Sequence, residues 1–271
     1  MRISIRTALA SAAMLLACLA AVANDDLPQA LPPVEEAAAV AAAERTGRDI
    51  FQHDRAAAVA TDALMAQRKS RRDRRVRGWV TEAQDDGIAV TFVDATPAAI
   101  YRVLVSASGQ AGPLAALEAP EPLAPFEAGA VAARDAAMAV PFAACSKDYN
   151  TVVLPSAPDA TDRWIVYLLP GTKRSDEVPL GGTWRMEVEG GAVTSQRAFT
   201  KSCIKLQRGG ATSAMMVTHM LDPVPTEAHV HWSLWAGIPM YVMTPPEGAI
   251  WAIEDGAVRK LDEEDDDGAE D

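Results

Sequence analysis

The sequence contains few cysteines: Cys18, Cys145 and Cys203 among 271 residues. None of them belongs to a C-x-x-C pair, which excludes a thioredoxin-like redox motif, and they are too few for a zinc site built from four cysteines. Cys18 lies in an N-terminal segment that we expect to be removed. In an oxidising compartment the two remaining cysteines most simply form one bridge, so we predict a Cys145–Cys203 disulfide.

Short motifs that identify several enzyme classes are also missing. The chain has no G-x-S-x-G, no G-x-x-x-x-G-K-[ST] and no G-x-G-x-x-G, so nothing indicates the usual hydrolase or nucleotide chemistry. One S-x-x-K match runs from Ser202 to Lys205, but it lies in a strand-like segment without the partner motifs of that enzyme class. Whether the chain is an enzyme therefore stays open.

Long apolar runs are absent after the N-terminus. No later stretch approaches the roughly 18 apolar residues of a membrane-spanning helix, so we expect no transmembrane segment in the mature chain. The N-terminus carries Arg2 and Arg6, then an apolar core, then the A-x-A sequence that ends at Ala23. This order is typical of a secretory signal peptide, residues 1–23, cleaved near Ala23. The sequence thus predicts an exported protein, periplasmic or secreted.

The segment from Leu15 to Cys18 reads LLAC and resembles the lipobox of bacterial lipoproteins. In that family the cysteine becomes the lipidated first residue, so the resemblance implies a lipid anchor at Cys18 as an alternative. Leu16 is unusual in the middle position of the motif, and the A-x-A site follows it. We therefore expect Cys18 to be removed together with the signal peptide.

Charge is concentrated in two segments of opposite sign. The net charge is −12, and eight acids with no base lie in residues 262–271. Such a run repels itself and buries no apolar surface, which predicts a disordered tail. Residues 68–77, RKSRRDRRVR, carry seven cations and one acid.

We interpret the basic segment as the solvated, arginine-rich end of a helix. Docking of the acidic tail on it and contact with anionic lipid or another envelope polyanion are the alternatives. Nucleic acid is not an expected partner, because an exported protein rarely meets it and no aromatic residue for base stacking occurs before Trp79.

Hydrophobic periodicity divides the remaining chain into four segments. They are a leader with a helix-prone linker (24–46), a helix with three strands (47–107), an Ala/Pro-rich linker with a short helix (108–140), and a β domain of about eight strands (141–261). We predict an α+β protein, in which an N-terminal helix and a small antiparallel sheet precede a C-terminal, antiparallel β-sandwich-like domain.

Two polar residues interrupt the apolar stripe of the N-terminal helix. Asp54 falls on the stripe, and His53 lies at its edge. In one interpretation Asp54 is the N-cap of a helix that begins there, accepting hydrogen bonds from backbone N–H groups. In the other, His53 and Asp54 belong to a buried acid/base element, although adjacent helical residues point about 100° apart and do not form a tight pair.

Three of the four histidines, His219, His229 and His231, lie within thirteen residues. We interpret TEAHVHWS (226–233) as a strand, in which Glu227, His229 and His231 share one face. A hairpin in the proline-rich segment before it would place His219 opposite His229.

That arrangement would bring the three histidines and Glu227 together in a metal site. Three imidazoles and a carboxylate suit zinc or a similar divalent cation, and an open fourth position would activate water. The solvated face of an outer strand would account for the same residues without a metal.

We therefore expect an exported envelope protein of the non-enzymatic kind, which either binds an unknown envelope partner or ligand through its β domain or has a structural role. The alternative is a metal-dependent hydrolase with His219, His229, His231 and Glu227 as ligands.

Overall fold

The structure is a computed structural model that describes residues 27–158, 160–208 and 213–261. The predicted signal peptide, Cys18 and the acidic tail lie outside the described residues. Within those ranges, no helix combines the length and the apolar character needed to cross a membrane.

The described residues form an α+β fold, as the sequence predicts. Its helices are α1 (Pro33–Ala66), α2 (Pro125–Ala139) and α3 (Glu227–Ala236), with a short 3-10 helix at Ser70–Arg72. The strands are β1 (Gly78–Gln84), β2 (Gly87–Val93), β3 (Ala99–Ser106), β4 (Ala115–Glu121), β5 (Tyr149–Pro155), β6 (Arg163–Pro170), β7 (Glu177–Val178), β8 (Trp184–Glu189), β9 (Ala192–Ala198), β10 (Leu206–Gln207), β11 (Met215–Thr218), β12 (Met240–Thr244), β13 (Ala249–Glu254) and β14 (Ala257–Lys260).

Helix α1 is continuous over 34 residues. Proline at its first position and two acids in its first turn suit a helix N-terminus, and its alanines favour the helix throughout. It runs through Gly47, so the predicted boundary between a linker and a helix at residues 46 and 47 is wrong. Gly47 is where α3 crosses α1, since a Cβ atom there would lie 2.5 Å from the Cβ atom of Val230.

The first sheet is an antiparallel meander in the order β1-β2-β3-β4. Strands β1 and β2, two of the strands predicted in residues 47–107, form a hairpin with Gly78 opposite Val93 and Gln84 opposite Gly87. Strand β4 lies in the segment predicted to be a linker, so the prediction of three strands is wrong. Most of its side chains are exposed, and therefore no apolar alternation indicates it in the sequence.

The second sheet has the antiparallel order β5-β6-β8-β9. Strands β8 and β9 form a hairpin that turns at Gly190 and Gly191. Both residues have positive φ, of 56° and 79°, which glycine adopts without steric cost. The two-residue strands β7 and β10 pair with each other beside this sheet.

The third sheet, β11-β12-β13-β14, contains the largest correction. The segment predicted to be the strand EAHVHWSLW is helix α3. Strand β11 pairs with β12 in parallel, with Met215 opposite Met240, and parallel neighbours require a crossover connection. Helix α3 lies in that connection, so the predicted antiparallel hairpin between His219 and His229 does not form.

The N-terminal and C-terminal halves share apolar cores. Ile50 of α1 is buried in one cluster with Tyr167 of β6 and Val230 of α3. Val80 of β1 is buried in another with Ala130 of α2 and Trp164 of β6. Helix α2 is the short helix predicted within residues 108–140. It packs between the first two sheets and so belongs to the core.

The predicted disulfide forms. Cys145 and Cys203 are joined with their Cα atoms 5.3 Å apart. The bond connects the segment before β5 to the segment before β10. Gly182 lies against it, because a Cβ atom there would lie 2.5 Å from the Cys145 Cβ atom.

Candidate functional site

Consecutive residues of α1 face two different cavities. Asp54 lines a cavity of about 530 Å³, which we call the Asp54 cavity. His53 lines a cavity of about 1290 Å³, which we call the His53 cavity. Because helical neighbours point about 100° apart, the two side chains do not pair with each other, as the helical geometry predicts.

The Asp54 cavity lies where α1, the second sheet and α3 meet. Its volume is within the range of roughly 300–1,000 Å³ that small-molecule sites occupy. Asp54, Asn150 of β5, and Trp232 and Trp235 of α3 contribute to its lining. Four cations and three acids line it in all, and those besides Asp54 are Lys147, Asp148, Lys173, Arg174, Glu177 and Lys205.

Asp54 is a buried carboxyl group in the middle of α1, so its interpretation as an N-cap is wrong. It is 6% exposed and accepts a hydrogen bond from Asn150 Nδ2 at 3.0 Å. Burial raises the pKa of Asp54 to about 6, against the lowering effect of the Asn150 hydrogen bond. A carboxylate has about four acceptor positions, and Asn150 is the hydrogen-bond partner of Asp54 among the described residues. Asp54 thus retains acceptor capacity beside the cavity.

The cations around the Asp54 cavity are of two kinds. Arg174 and Lys205 are held by acids, since both contact Glu177, at 3.1 and 3.2 Å. Lys147 and Lys173 are exposed, and their side chains make no ion pair with any described residue. These two lysines are therefore free to attract a negatively charged ligand.

Covalent and hydrogen bonds fix the loops that border the Asp54 cavity. Cys145 immediately precedes Ser146, and Ser146 Oγ donates to the Gly171 carbonyl at 2.7 Å. The Gly171 N–H donates to the Asp148 carbonyl at 2.8 Å. A site whose walls are held before binding loses less entropy when a ligand arrives.

Helix α3 supplies aromatic rings to the same cavity. Trp232 is 3% exposed, and its indole N–H donates to Thr183 Oγ1 at 2.9 Å. Its ring meets that of Trp235 edge-on, with centroids 5.4 Å apart. The half-buried Trp235 also contacts the Arg208 guanidinium, 5.8 Å from the ring centroid. The two indoles give the cavity an apolar wall.

The His53 cavity has a different character. His53 is buried, its Nδ1 lies 2.7 Å from Thr81 Oγ1, and burial lowers its pKa to about 4. Arg45, Arg48 and Arg55 border the cavity from α1, and acids face them from β1 and the turn after it. One of these acids is Glu82, whose pKa is raised by burial and by the charge of Glu127.

The predicted metal ligands do not converge. In helix α3, His229 and His231 are two residues apart, so their side chains point about 160° apart, to nearly opposite sides of the helix. His231 is fully buried against Trp232, with ring centroids 4.7 Å apart, and Glu227 accepts a hydrogen bond from Tyr167. Among the described residues, no group of three His, Cys, Asp or Glu side chains is arranged to hold a metal ion. The strand geometry on which the predicted site depends is wrong.

His219 and His229 nevertheless meet, with ring centroids 4.6 Å apart. The Thr226 backbone N–H donates to His229 Nδ1 at 3.0 Å. His219 Nε2 lies 2.7 Å from Asp222 Oδ2, which also binds Arg197. Both rings are buried and neither lines the two cavities described above. These contacts hold the N-terminal end of α3 in place.

Comparison of the chain with family models, with curated proteins and with solved structures finds no significant match.

Proposed function

We propose that the chain is an exported envelope protein that acts by binding a small ligand in the Asp54 cavity. The observation that carries the proposal is the Asp54 carboxyl group. It is buried, it retains acceptor capacity, and it lines a cavity of about 530 Å³. Buried polar groups are normally satisfied by hydrogen bonds, and a ligand that donates hydrogen bonds would complete those of Asp54.

The lining favours a polyhydroxylated ligand that carries a negative charge, such as a sugar acid or a sugar phosphate. Asp54 accepts hydrogen bonds from hydroxyl groups, and the Asn150 amide is both a donor and an acceptor. Trp235 offers an apolar surface to the carbon skeleton of such a ligand. Lys147 and Lys173 are placed to bind its carboxylate or phosphate.

Export is part of the proposal. The Cys145–Cys203 bond supports it, because disulfides persist in oxidising compartments. The bond also borders the Asp54 cavity. It is therefore consistent with an oxidising compartment, and it helps to fix the wall of the proposed binding site.

Calorimetry and tryptophan fluorescence on the purified protein test the site. The probes are glucuronate, glucose 6-phosphate and neutral glucose, and we expect the two anionic probes to bind more tightly than glucose. Asp54→Asn keeps the size of the side chain and removes its charge, so the affinity should fall at least about tenfold, as for a lost charged hydrogen bond. Asp62→Asn, an exposed acid of α1 outside both cavities, is the matched control.

Two results would contradict the proposal. Equal affinity of the Asp54→Asn variant and the wild type would show that the ligand binds elsewhere. Failure of the wild type to bind any of the three probes would overturn the ligand class.

A further inference from the structure

Residues 68–77, which connect α1 to β1, form an exposed cationic surface that we call the basic loop. Its one acid, Asp73, is occupied, because Arg75 Nη2 binds its Oδ2 at 2.6 Å and the Tyr101 hydroxyl donates to it at 2.8 Å. The other cations of the loop are exposed, and their side chains make no ion pair with any residue that the structure describes. They are Arg68, Lys69, Arg71, Arg72, Arg74 and Arg77.

The backbone of the basic loop is fixed at three points. Ser70 is 3% exposed, and its hydroxyl donates to the Leu64 carbonyl at 2.5 Å. Asp73 is tied to Tyr101, and the Arg77 N–H donates to the Val93 carbonyl at 2.8 Å. The cations are thus presented by an ordered backbone, and a partner need not order the loop in order to bind it.

Charge is distributed unevenly along α1. The last described residues lie near its N-terminal end, where Lys260 Nζ contacts Glu36 at 2.9 Å and the Val258 N–H donates to Glu44. The basic loop follows its C-terminal end, and 34 helical residues span about 51 Å. The last described residue, Leu261, therefore lies far from the basic loop, which forms a positively charged end of the described chain.

We propose that the basic loop binds the surface of a bilayer that contains anionic phospholipids. Clusters of four to eight basic residues are attracted to anionic leaflets, and the six free cations are such a cluster. Met65 is 46% exposed one turn before Arg68 and Lys69, and its apolar side chain suits the interface between headgroups and acyl chains. Single-stranded nucleic acid fits less well, because stacking needs an exposed ring, whereas Tyr101, which contacts the loop, is buried and Trp79 is half-buried.

Co-sedimentation with vesicles tests this partner. The protein, as purified from the cells that express it, should bind vesicles of phosphatidylcholine with phosphatidylglycerol and should not bind phosphatidylcholine alone. Because the attraction is electrostatic, raised salt should release the protein. Equal binding to both kinds of vesicle would overturn the proposal.

Charge reversal locates the surface. Arg71→Glu/Arg72→Glu should lower the partition coefficient on anionic vesicles at least about tenfold, with the melting temperature unchanged. Arg163→Glu/Lys201→Glu changes the net charge equally at two exposed positions outside the loop, and should lower the coefficient far less. Equal losses of the partition coefficient in the two variants would overturn the proposal, because net charge and not the basic loop would then determine binding to the vesicles. Binding to duplex DNA without binding to vesicles would replace the lipid partner by nucleic acid.

Discussion

His53 and Asp54 are neighbours in α1, yet they bond to different sheets: His53 to Thr81 of β1 and Asp54 to Asn150 of β5. The helix thereby carries two buried titratable groups that connect it to the two halves of the molecule. Burial acts on both but with opposite signs, since it lowers the pKa of His53 to about 4 and raises that of Asp54 to about 6. Their effects on stability are therefore opposite.

Asp54 should make the protein less stable as the pH rises. Its folded pKa of about 6 exceeds the ordinary 3.8, so between these values the folded state binds the additional proton, and the free energy of unfolding falls with rising pH. Asp54→Asn removes this loss. As the pH rises from about 4 to about 7, the free energy of unfolding of the variant should increase by about 2–3 kcal/mol relative to that of the wild type. Urea denaturation of both proteins across that range measures the difference, and a constant difference would contradict the burial of the charge.

The buried histidines should make the protein sensitive to acid. Burial lowers the pKa of His53 to about 4, that of His231 to about 3, and that of His229 well below its usual 6.5. Between these values and 6.5 the unfolded state binds the additional protons, so stability is lost as the pH falls. We expect the melting temperature of the Asp54→Asn variant, in which the opposing carboxyl group is absent, to fall steeply below pH about 6.5. A flat profile would show that these rings are hydrated.

His231 should make the folded protein less stable than an apolar side chain at the same position would. It is fully buried, and neither of its ring nitrogens has a hydrogen-bond partner in the described part of the chain. An unsatisfied buried polar group costs about 1–3 kcal/mol. His231→Leu should therefore raise the free energy of unfolding by about 1 kcal/mol and reduce the loss in acid. Marked destabilisation would indicate that His231 has a polar partner after all.

Local patterns in the sequence are sufficient to predict much of the fold. Strict alternation predicts β1 and β2, Gly190 and Gly191 predict a hairpin, and the pair of cysteines predicts the disulfide. Each of these features depends on residues close in sequence or on simple chemistry. Strand β4 has exposed side chains on both faces, so its pairing depends on β3 and not on its own pattern.

Helix α3 shows how alternation misleads. In EAHVHWSLW the histidines occupy every second position on what would be a polar face, but His229 and His231 are 1% and 0% exposed. The helix is buried nearly all round, and such a helix carries no 3.6-residue period. Its caps were the available signal: Thr226 precedes it, and Gly237, with φ of 66°, ends it.

The Asp54 cavity lies beyond what one sequence can predict. Asp54 stands out as a carboxyl group on an apolar stripe, but its partner Asn150 is 96 residues away. Trp235 comes from α3, and Lys147 and Lys173 come from loops without a motif. Only the tertiary contacts of α1 with β5 and α3 bring these residues together.

Gly47→Ala should separate helix propensity from packing. Alanine is favoured over glycine inside a helix by about 1 kcal/mol, so propensity alone predicts stabilisation. A Cβ atom at residue 47 would, however, lie 2.5 Å from the Val230 Cβ atom and 2.9 Å from the Glu227 carbonyl oxygen. We expect a net loss of about 1–3 kcal/mol, as for an overpacked core, measured by urea denaturation. A higher stability would contradict the close crossing of α1 and α3.

Removal of the disulfide should affect stability and binding together. For a closed loop with a sequence separation of 58, the chain-entropy model gives a loss of about 4 kcal/mol. Cys145→Ala/Cys203→Ala should therefore lower the melting temperature. Because the bond also fixes loops that border the Asp54 cavity, affinity for glucuronate should fall as well, even at temperatures where the variant is fully folded. Unchanged affinity in the folded variant would mean that the hydrogen bonds among Ser146, Asp148 and Gly171 are sufficient to hold that wall.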